Sequence, residues 1–319
     1  MSAAIVRVLS QFALIEMFTS RDVTASDLKA WIARQSYSIE EDVSKDKFVL
    51  SFRSGTKPFS SIANDCNRMS QAAFESAIGL RADDPLPRSR AWRVIRAYYA
   101  AFFSAHALLR MYGISCSQLE IEHTRKVLEA ARIFQYDCDI NSIDKGFYVS
   151  KIDLDNSSVS FKKVKESHAD TWNEFLNLVE ELQALSTNAA ATEENRRLTV
   201  SYLIGIKEVL TRRPCQNKGN WLSSVRNTVN YKQSHGVWFP YKSNRSSVLD
   251  ITRIDQSWAQ PIEILSISEG EDDIDIFFKA TNMIVSLNYH MMRYLYERFN
   301  GESRILRDGV IRVLNHLSL

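Results

Sequence analysis

The sequence predicts a mostly α-helical protein, on three observations. Only 10 of its 319 residues are Gly and 6 are Pro, which disfavours turn-rich sandwiches and glycine-looped nucleotide folds. Several long segments repeat apolar residues at spacings of three and four, as amphipathic helices do. Hydrophobic residues make up 45% and charged residues 24% of the chain, so a large core is available. No apolar run approaches the roughly 18 to 20 residues of a membrane span, and we expect no membrane association.

Residues 1–84 are predicted to form a small α+β extension. The chain begins with an amphipathic helix, a second helix follows Ser26, and alternating apolar residues predict a strand at 48–52. A third helix is predicted over 61–79. A polar, proline-containing break at 83–87 follows, and we place the domain boundary there because such segments interrupt helices.

A helical domain is predicted for residues 85–319. Its first helix, at 88–112, carries apolar residues on more than one face and should lie at the centre of the fold. Alternating residues at 146–164 predict a β-hairpin inserted at the periphery. Ser268 and Glu271 have the spacing of a capping box for the last long helix. The remaining predicted helices span 119–135, 169–185, 193–213, 221–231 and 271–299.

Cysteine spacing and the lack of common motifs exclude several function classes. The four cysteines lie far apart without a Cys-x-x-Cys pair, so we expect reduced thiols in a cytoplasmic protein, without structural zinc or disulfides. The sequence has no phosphate loop, dinucleotide fingerprint, His-Glu-x-x-His or Gly-x-Ser-x-Gly string. Nucleotide, zinc and acyl-transfer chemistries therefore lack support, and the sequence predicts no metal site and no cofactor.

Charge is balanced over the whole chain but uneven along it. The formal net charge of +2 gives no overall field that would attract nucleic acid, so any RNA binding must be local. Two segments are basic: 81–110 has six Arg against two Asp, and 205–245 has eight Lys or Arg against one Glu. Such clusters attract phosphates, although a solvated helix face is the more common explanation.

Two strings resemble the HEPN superfamily. The run RAYYAAFFSAHALLRMYGIS at 96–115, followed by His123 in EHTRKVL, resembles the long helix and following turn of that family. The run WLSSVRNTVNY at 221–231 is similar to a later HEPN helix that carries an Arg-x-x-x-[Asp/Asn]-Tyr or Arg-x(4 to 6)-His motif. The resemblance covers mainly 88–135 and 195–300. It implies a helical bundle that often forms a homodimer and, in catalytic members, a metal-independent ribonuclease of toxin or antiviral systems.

Arg226 is the arginine that this resemblance selects. It implies that Arg226 stabilises charge on the phosphoryl oxygens while a histidine acts as acid or base towards the ribose 2′-hydroxyl. The next histidine is His235, and about 100° per residue over nine residues places it on the opposite side of a continuous helix. Asn230 and Tyr231 fit the Arg-x-x-x-[Asp/Asn]-Tyr form of the motif better than His235 fits the Arg-x(4 to 6)-His form. We expect Arg226 to face solvent; hydrogen bonding of Arg226 and Asn230 within the bundle is the structural alternative.

Four further residues are candidates for RNA binding. Arg93 and Arg96 could reach phosphates, or could pair with acidic residues of the fold. Lys232 and Trp238 lie where cations and aromatic rings alternate, a pattern that suits single-stranded RNA. Packing of the aromatic residues into the core is the structural alternative.

Two other histidines have structural interpretations. His106 lies on an apolar helix stripe and is expected to be a hydrogen-bonded core histidine. His123 stands near a helix start, where it is expected to make a local polar contact.

Two functions remain open from the sequence. The first is an RNA-cleaving HEPN-like effector of antiviral defence or a toxin system, active as a homodimer. The second is a catalytically silent HEPN-like subunit that binds a partner protein in a multi-protein defence complex. The long Arg226 to His235 spacing favours the second function, whereas the basic segments and the Arg-x-x-x-Asn-Tyr string favour the first.

Overall fold

The mostly α-helical fold is confirmed. The computed structural model describes residues 1–19, 27–40, 43–53, 58–78, 90–134, 142–212, 219–238, 257–264 and 266–316. Of these residues 63% are helical and 10% lie in strands. The break predicted at 83–87 lies outside the described residues.

The described elements follow the predicted order, and the structure adds a strand at Ile114–Leu119, a 3₁₀ turn and short helices after Ser303. The main helices are α1 (Ser2–Leu9), α2 (Leu28–Ala33), α3 (Phe59–Ile78), α4 (Arg90–Met111), α5 (Ile121–Phe134), α6 (Ser167–Ser186), α7 (Glu193–Leu210), α8 (Trp221–Lys232) and α9 (Asp273–Arg298). A 3₁₀ turn spans Ile15–Thr19, and the C-terminal segment contains α10 (Arg304–Leu306), a π-helical turn (Arg307–Ile311) and α11 (Arg312–His316). The strands are β1 (Lys47–Ser51), β2 (Ile114–Leu119), β3 (Gly146–Asp153) and β4 (Ser158–Val164).

Helix α4 is central because its small side chains let other helices approach from several sides. Ala97, Ala101 and Ala105 are at most 1% exposed, and α3, α6, α8 and α9 all pack against this helix. Helices α4 and α9, which correspond to the predicted helices at 88–112 and 271–299, are neighbours. A fully buried Asn288 on α9 also accepts a hydrogen bond from Ser70 on α3 at 3.0 Å.

The predicted hairpin belongs to a four-stranded antiparallel sheet with the order β1-β4-β3-β2. Strand β1 comes from the predicted extension, and its Phe48 pairs with Phe161 of β4. The two rings stack with centroids 4.7 Å apart. The hairpin is therefore not a peripheral insertion, because it joins the extension to the rest of the chain. The domain boundary stays a prediction, but α3 packs along α4 and one apolar core includes residues from both sides of it.

Polar side chains set the beginnings of three helices. Thr192 caps α7, since its hydroxyl accepts from the Asn195 amide. The α2 cap is Asp27, the residue after Ser26, and its carboxylate accepts from Ala30 N at 2.8 Å. The Ser268–Glu271 interaction is present, but α9 begins two residues later than predicted, after a cap at Asp272. Acidic residues in this first turn complement the positive end of the helix.

Candidate active site

Arg226 lies in a buried contact between α8 and α4. Its side chain is 8% exposed, and its guanidinium carbon lies 4.8 Å from the centroid of the Tyr98 ring. A guanidinium above an aromatic face is attracted by the electron density of the ring. The expectation that Arg226 faces solvent is therefore wrong. Val225 and Val229 on the same helix are buried in the core, and this packing holds Arg226 against α4.

The structure places His235 away from Arg226. Helix α8 ends at Lys232 because Gln233 adopts a left-handed conformation, with φ of 51°. The chain then turns back, and His235 Nε2 lies 3.3 Å from Thr228 Oγ1. Thr228 is two residues beyond Arg226, which corresponds to about 200° around a helix. His235 and Arg226 therefore lie on opposite sides of α8.

The other two motif residues differ in exposure. Tyr231 is 74% exposed, so its ring packs on no core. Asn230 is partly buried and lies one turn from Arg226 on the same helix. Of the predicted motif, Arg226 and Asn230 thus share a face of α8, whereas Tyr231 and His235 point elsewhere.

A different histidine, His168, contacts Tyr98, the residue whose ring lies against Arg226. It lies in the first turn of α6, where its Nδ1 is 2.9 Å from the Tyr98 hydroxyl. Trp172 Nε1, one turn further along α6, donates to the same hydroxyl at 3.1 Å. Tyr98 thus contacts Arg226 through its ring and His168 through its hydroxyl. We refer to Tyr98, His168, Trp172 and Arg226 as the Tyr98 cluster.

The sequence contained one usable signal for His168. It precedes Trp172 by four residues, so the two side chains share a helix face, and tryptophans at such positions are usually buried. This spacing predicts that the imidazole points towards the core. It does not predict that α6 packs against α4 beside α8, which is what brings His168 to Arg226.

The environment keeps His168 neutral. Partial burial and then the positive charge of Arg226 lower the pKa of His168 below its ordinary value of 6.5. Burial raises the pKa of Tyr98, although hydrogen bonds with Trp172 and Ser223 and the charge of Arg226 oppose it. At neutral pH the cluster therefore holds an uncharged imidazole, an uncharged phenol and one guanidinium.

This hydrogen-bond pattern permits His168 to act as a base. Trp172 donates to the Tyr98 oxygen, which can accept a second hydrogen bond. In the tautomer in which His168 donates from Nδ1 to that oxygen, its Nε2 carries the lone pair that can take a proton. Tyr98 then orients the imidazole in the way that a carboxylate does in hydrolytic triads.

The predicted RNA-binding residues have different surroundings. Arg93 has a buried Nε without a hydrogen-bond partner among the described residues, and the same is true of Arg226. Arg96 and Lys232 have exposed side chains. Trp238 is half-buried: its Nε1 donates to a backbone carbonyl of α8 at 2.7 Å, and its ring packs against Trp92. Trp238 thus has a structural role, the alternative that the sequence left open.

A second polar cluster lies deeper along α4. Arg110 is 1% exposed and donates from Nε to Asp65 Oδ2 at 2.7 Å, while Arg68 also contacts Asp65. Arg110 further donates to His106 Nδ1 at 3.1 Å. His106 is therefore a hydrogen-bonded core histidine, as predicted. The Phe102 ring lies between the two clusters, with its centroid 4.6 Å from that of His106 and 4.4 Å from that of His168.

His123 also has the predicted role. Its Nδ1 accepts from the Glu120 amide at 3.1 Å, next to the first residue of α5. A side chain in the first turn that bonds back to the preceding amide completes one half of a capping interaction.

The described residues contain neither a metal-binding cluster nor a membrane-spanning helix. No group of three or more His, Cys, Asp or Glu side chains there could hold a metal ion. Within those residues, none of the helices is both long enough and apolar enough to cross a membrane. Cys66 and Cys116 are buried free thiols, and burial raises the pKa of Cys116 to about 11.

Comparisons of this chain with protein-family models, with curated proteins and with solved structures found no match. The resemblance to HEPN proteins therefore rests on the two sequence strings.

Proposed function

We propose that this protein is a metal-independent endoribonuclease with an HEPN-like bundle, whose reacting groups are His168 and Arg226. One observation carries the proposal: a neutral imidazole and a guanidinium contact the same tyrosine, Tyr98. These are the two groups that cleavage through the ribose 2′-hydroxyl requires. A role in antiviral defence or as a toxin follows from the resemblance and forms part of the same proposal.

The chemistry assigns one task to each group. His168 Nε2 takes the proton of the ribose 2′-hydroxyl, and the 2′ oxygen forms a bond to phosphorus. Arg226 stabilises the charge that accumulates on the phosphoryl oxygens. The bond to the 5′ oxygen breaks, and the imidazolium of His168 returns the proton to that oxygen. The products are a 2′,3′-cyclic phosphate and a 5′-hydroxyl. Tyr98 positions both side chains.

Unpaired arginine donors support the binding of a phosphate beside this cluster. The Nε atoms of Arg93 on α4 and Arg226 on α8 are buried and have no hydrogen-bond partner in the described part of the chain. Leaving a charged donor unpaired costs free energy that a phosphate oxygen would recover. The Trp92 ring, which precedes Arg93 on α4, is 56% exposed and offers a surface on which a base could stack.

Cleavage of single-stranded RNA in excess chelator tests the proposal. The purified full-length chain is expected to cut a labelled RNA oligonucleotide and leave a 2′,3′-cyclic phosphate, because no step uses a metal. The same oligonucleotide with 2′-deoxyribose throughout is the matched control and should remain intact. Absence of cleavage, or cleavage that stops on chelation, would falsify the proposal.

The pH dependence of cleavage follows from His168. The reaction needs the neutral imidazole, and burial and Arg226 lower the pKa of this group below 6.5. The value of kcat/KM should therefore rise as pH increases through an acidic midpoint and reach its plateau before pH 7. A pH profile between about 4.5 and 8.5 measures this. A midpoint above 7 would exclude His168 as the base.

The alternative, a catalytically silent subunit that binds a partner protein in a defence complex, is favoured by one observation. Arg226 is only 8% exposed, and its contact with Tyr98 accounts for this arginine by packing alone. A folded protein that cleaves no RNA at any tested pH would support this alternative.

Homodimer formation is a separate prediction. HEPN-like nucleases join Arg and His across two protomers, whereas here one chain supplies both groups, so the interface need not contribute a reacting side chain. Large apolar residues such as Ile133 and Phe134 on α5 are 68% and 48% exposed. Sedimentation velocity at micromolar concentration should give twice the chain mass of 36.6 kDa. A mass of one chain at all concentrations would contradict the prediction.

A further inference from the structure

A cavity of about 230 Å³ lies beside the second polar cluster. Its walls come from the beginning of α2, from α3 and α4, from β2 and β3, and from Ser167, the first residue of α6. Phe102, Phe147 and Met69 supply apolar surface, so the cavity combines a flat hydrophobic wall with charged groups. This combination is typical of small-molecule sites.

His106 offers an unused donor to this cavity. The side chain is 6% exposed and lines the wall. Because Arg110 donates to Nδ1, that nitrogen accepts, and the proton of the neutral imidazole must be on Nε2. Burial and the charge of Arg110 lower the pKa of His106 well below 6.5, so the ring is neutral. Within the described residues, Nε2 has no hydrogen-bond partner. A buried donor of this kind favours a ligand that can accept from it.

The charge around the cavity favours an anion. Three cations, Lys29, Arg68 and Arg110, face two carboxylates, Asp27 and Asp65. Arg110 and Arg68 both contact Asp65, and Arg68 Nη2 also lies 3.7 Å from Asp27 Oδ2. Three cations against two carboxylates leave the cavity lining with one net positive charge.

The beginning of α6 adds to the positive potential in the cavity. The helix has 20 residues and starts at the cavity, and its N-cap residue makes no side-chain hydrogen bond to the first turn. Asp170 Oδ2 accepts from the Glu166 amide at 2.8 Å, and the amide groups of the next three residues remain for a ligand. The first amide groups of such a helix attract oxyanions.

We propose that this cavity binds a small aromatic or planar molecule that carries an oxyanion, such as an aryl phosphate. The planar part packs on Phe102 and Phe147, and the oxyanion accepts from His106 Nε2–H and from the amide groups at the start of α6. Lys29 contributes attraction at longer range. The binding does not depend on RNA cleavage, because His106 has no part in the Tyr98 cluster.

Calorimetric titration of the full chain with phenyl phosphate tests this site. Phenyl phosphate is expected to bind in a saturable way with one site per chain. It should bind more tightly than inorganic phosphate, which lacks the ring, and than phenol, which lacks the oxyanion. No saturable binding, or phenol binding as tightly as phenyl phosphate, would overturn the proposal.

Two substitutions of His106 separate the cavity donor from the internal hydrogen bond. His106→Asn keeps an acceptor for Arg110 but removes the donor at the Nε2 position, and should weaken phenyl phosphate binding by at least about 10-fold. His106→Gln keeps a donor at that position and should bind within about 3-fold of the wild type. Equal affinity in both variants would show that His106 does not contact the ligand and would overturn the assignment.

A surface substitution keeps the test decisive if His106 variants do not fold. Lys29→Glu should weaken phenyl phosphate binding by about 3- to 10-fold, because it reverses one charge at the cavity. Lys162→Glu is the matched control, since Lys162 is exposed on β4 and does not line the cavity. Equal affinity in these two variants would contradict the anion site.

Discussion

Arg226→Lys is expected to lower the rate of RNA cleavage by about 100- to 1,000-fold, the scale of a donor aimed at developing charge. Lysine keeps the positive charge near Tyr98 but replaces the planar, two-pronged donor with a single ammonium group. The rate is measured on single-stranded RNA in excess chelator. Urea unfolding of the same variant should show a fold that remains intact, because the long aliphatic stem is retained.

Lysine is a better test than alanine at this position. Arg226 is buried against Tyr98, so Arg226→Ala would also remove packing, and a loss of activity could then reflect a loss of structure. Arg132→Lys on the exposed face of α5 is the matched control and should cleave RNA at the wild-type rate. A cleavage rate of Arg226→Lys within about 3-fold of the wild type would contradict the role assigned to Arg226.

Asp65→Ala is expected to destabilise the fold by about 3 to 5 kcal/mol, because it leaves the Arg110 guanidinium buried without its partner. Arg110 and Asp65 are 1% and 4% exposed in their side chains. Glu129→Ala breaks an exposed ion pair with Lys126 of similar length and should cost less than about 1 kcal/mol. Urea unfolding at pH 7 measures both free energies. Equal values for the two variants would contradict the account.

The Asp65 pair also makes stability depend on pH. Burial alone would raise the pKa of Asp65, but the charges and hydrogen bonds of Arg110 and Arg68 outweigh it, so the pKa lies below its ordinary value. The stabilisation is therefore fully present above the unfolded-state pKa of about 3.9 and is lost as pH falls through the lower, folded-state value. Asp65→Ala should reduce this part of the acid dependence, which urea unfolding between about pH 3 and 7 would show.

The helical part of the fold was predictable because its signals are local. Apolar spacing and capping residues such as Thr192 act within one or two turns of a helix, so periodicity alone identifies α4, α7 and α9. Strand β2 was missed because its six residues become a strand only by pairing with β3, which begins at residue 146. Pairing of β1 with β4 likewise joins segments more than 100 residues apart, and no local pattern contains that information.

The candidate site was only partly predictable for the same physical reason. Arg226 was identified from a short string, and its neighbours on α8 were correctly assigned to one helix. The burial of Arg226 and its contact with Tyr98 were not predictable, because they depend on how α6 and α8 pack on either side of Tyr98. The sequence suggested His235 as the partner of Arg226, but it does not show the path of the backbone after α8. The left-handed residue at Gln233 turns the chain towards Thr228 instead.

The most direct test of the proposed function compares two histidine variants on the same RNA in excess chelator. His168→Asn should lose at least about 100-fold in cleavage rate, because the amide cannot accept the proton of the 2′-hydroxyl. His235→Asn should cleave at the wild-type rate, because His235 lies on the far side of α8 beside Thr228. Loss of cleavage in His235→Asn with full activity in His168→Asn would contradict the assignment of the site to the Tyr98 cluster.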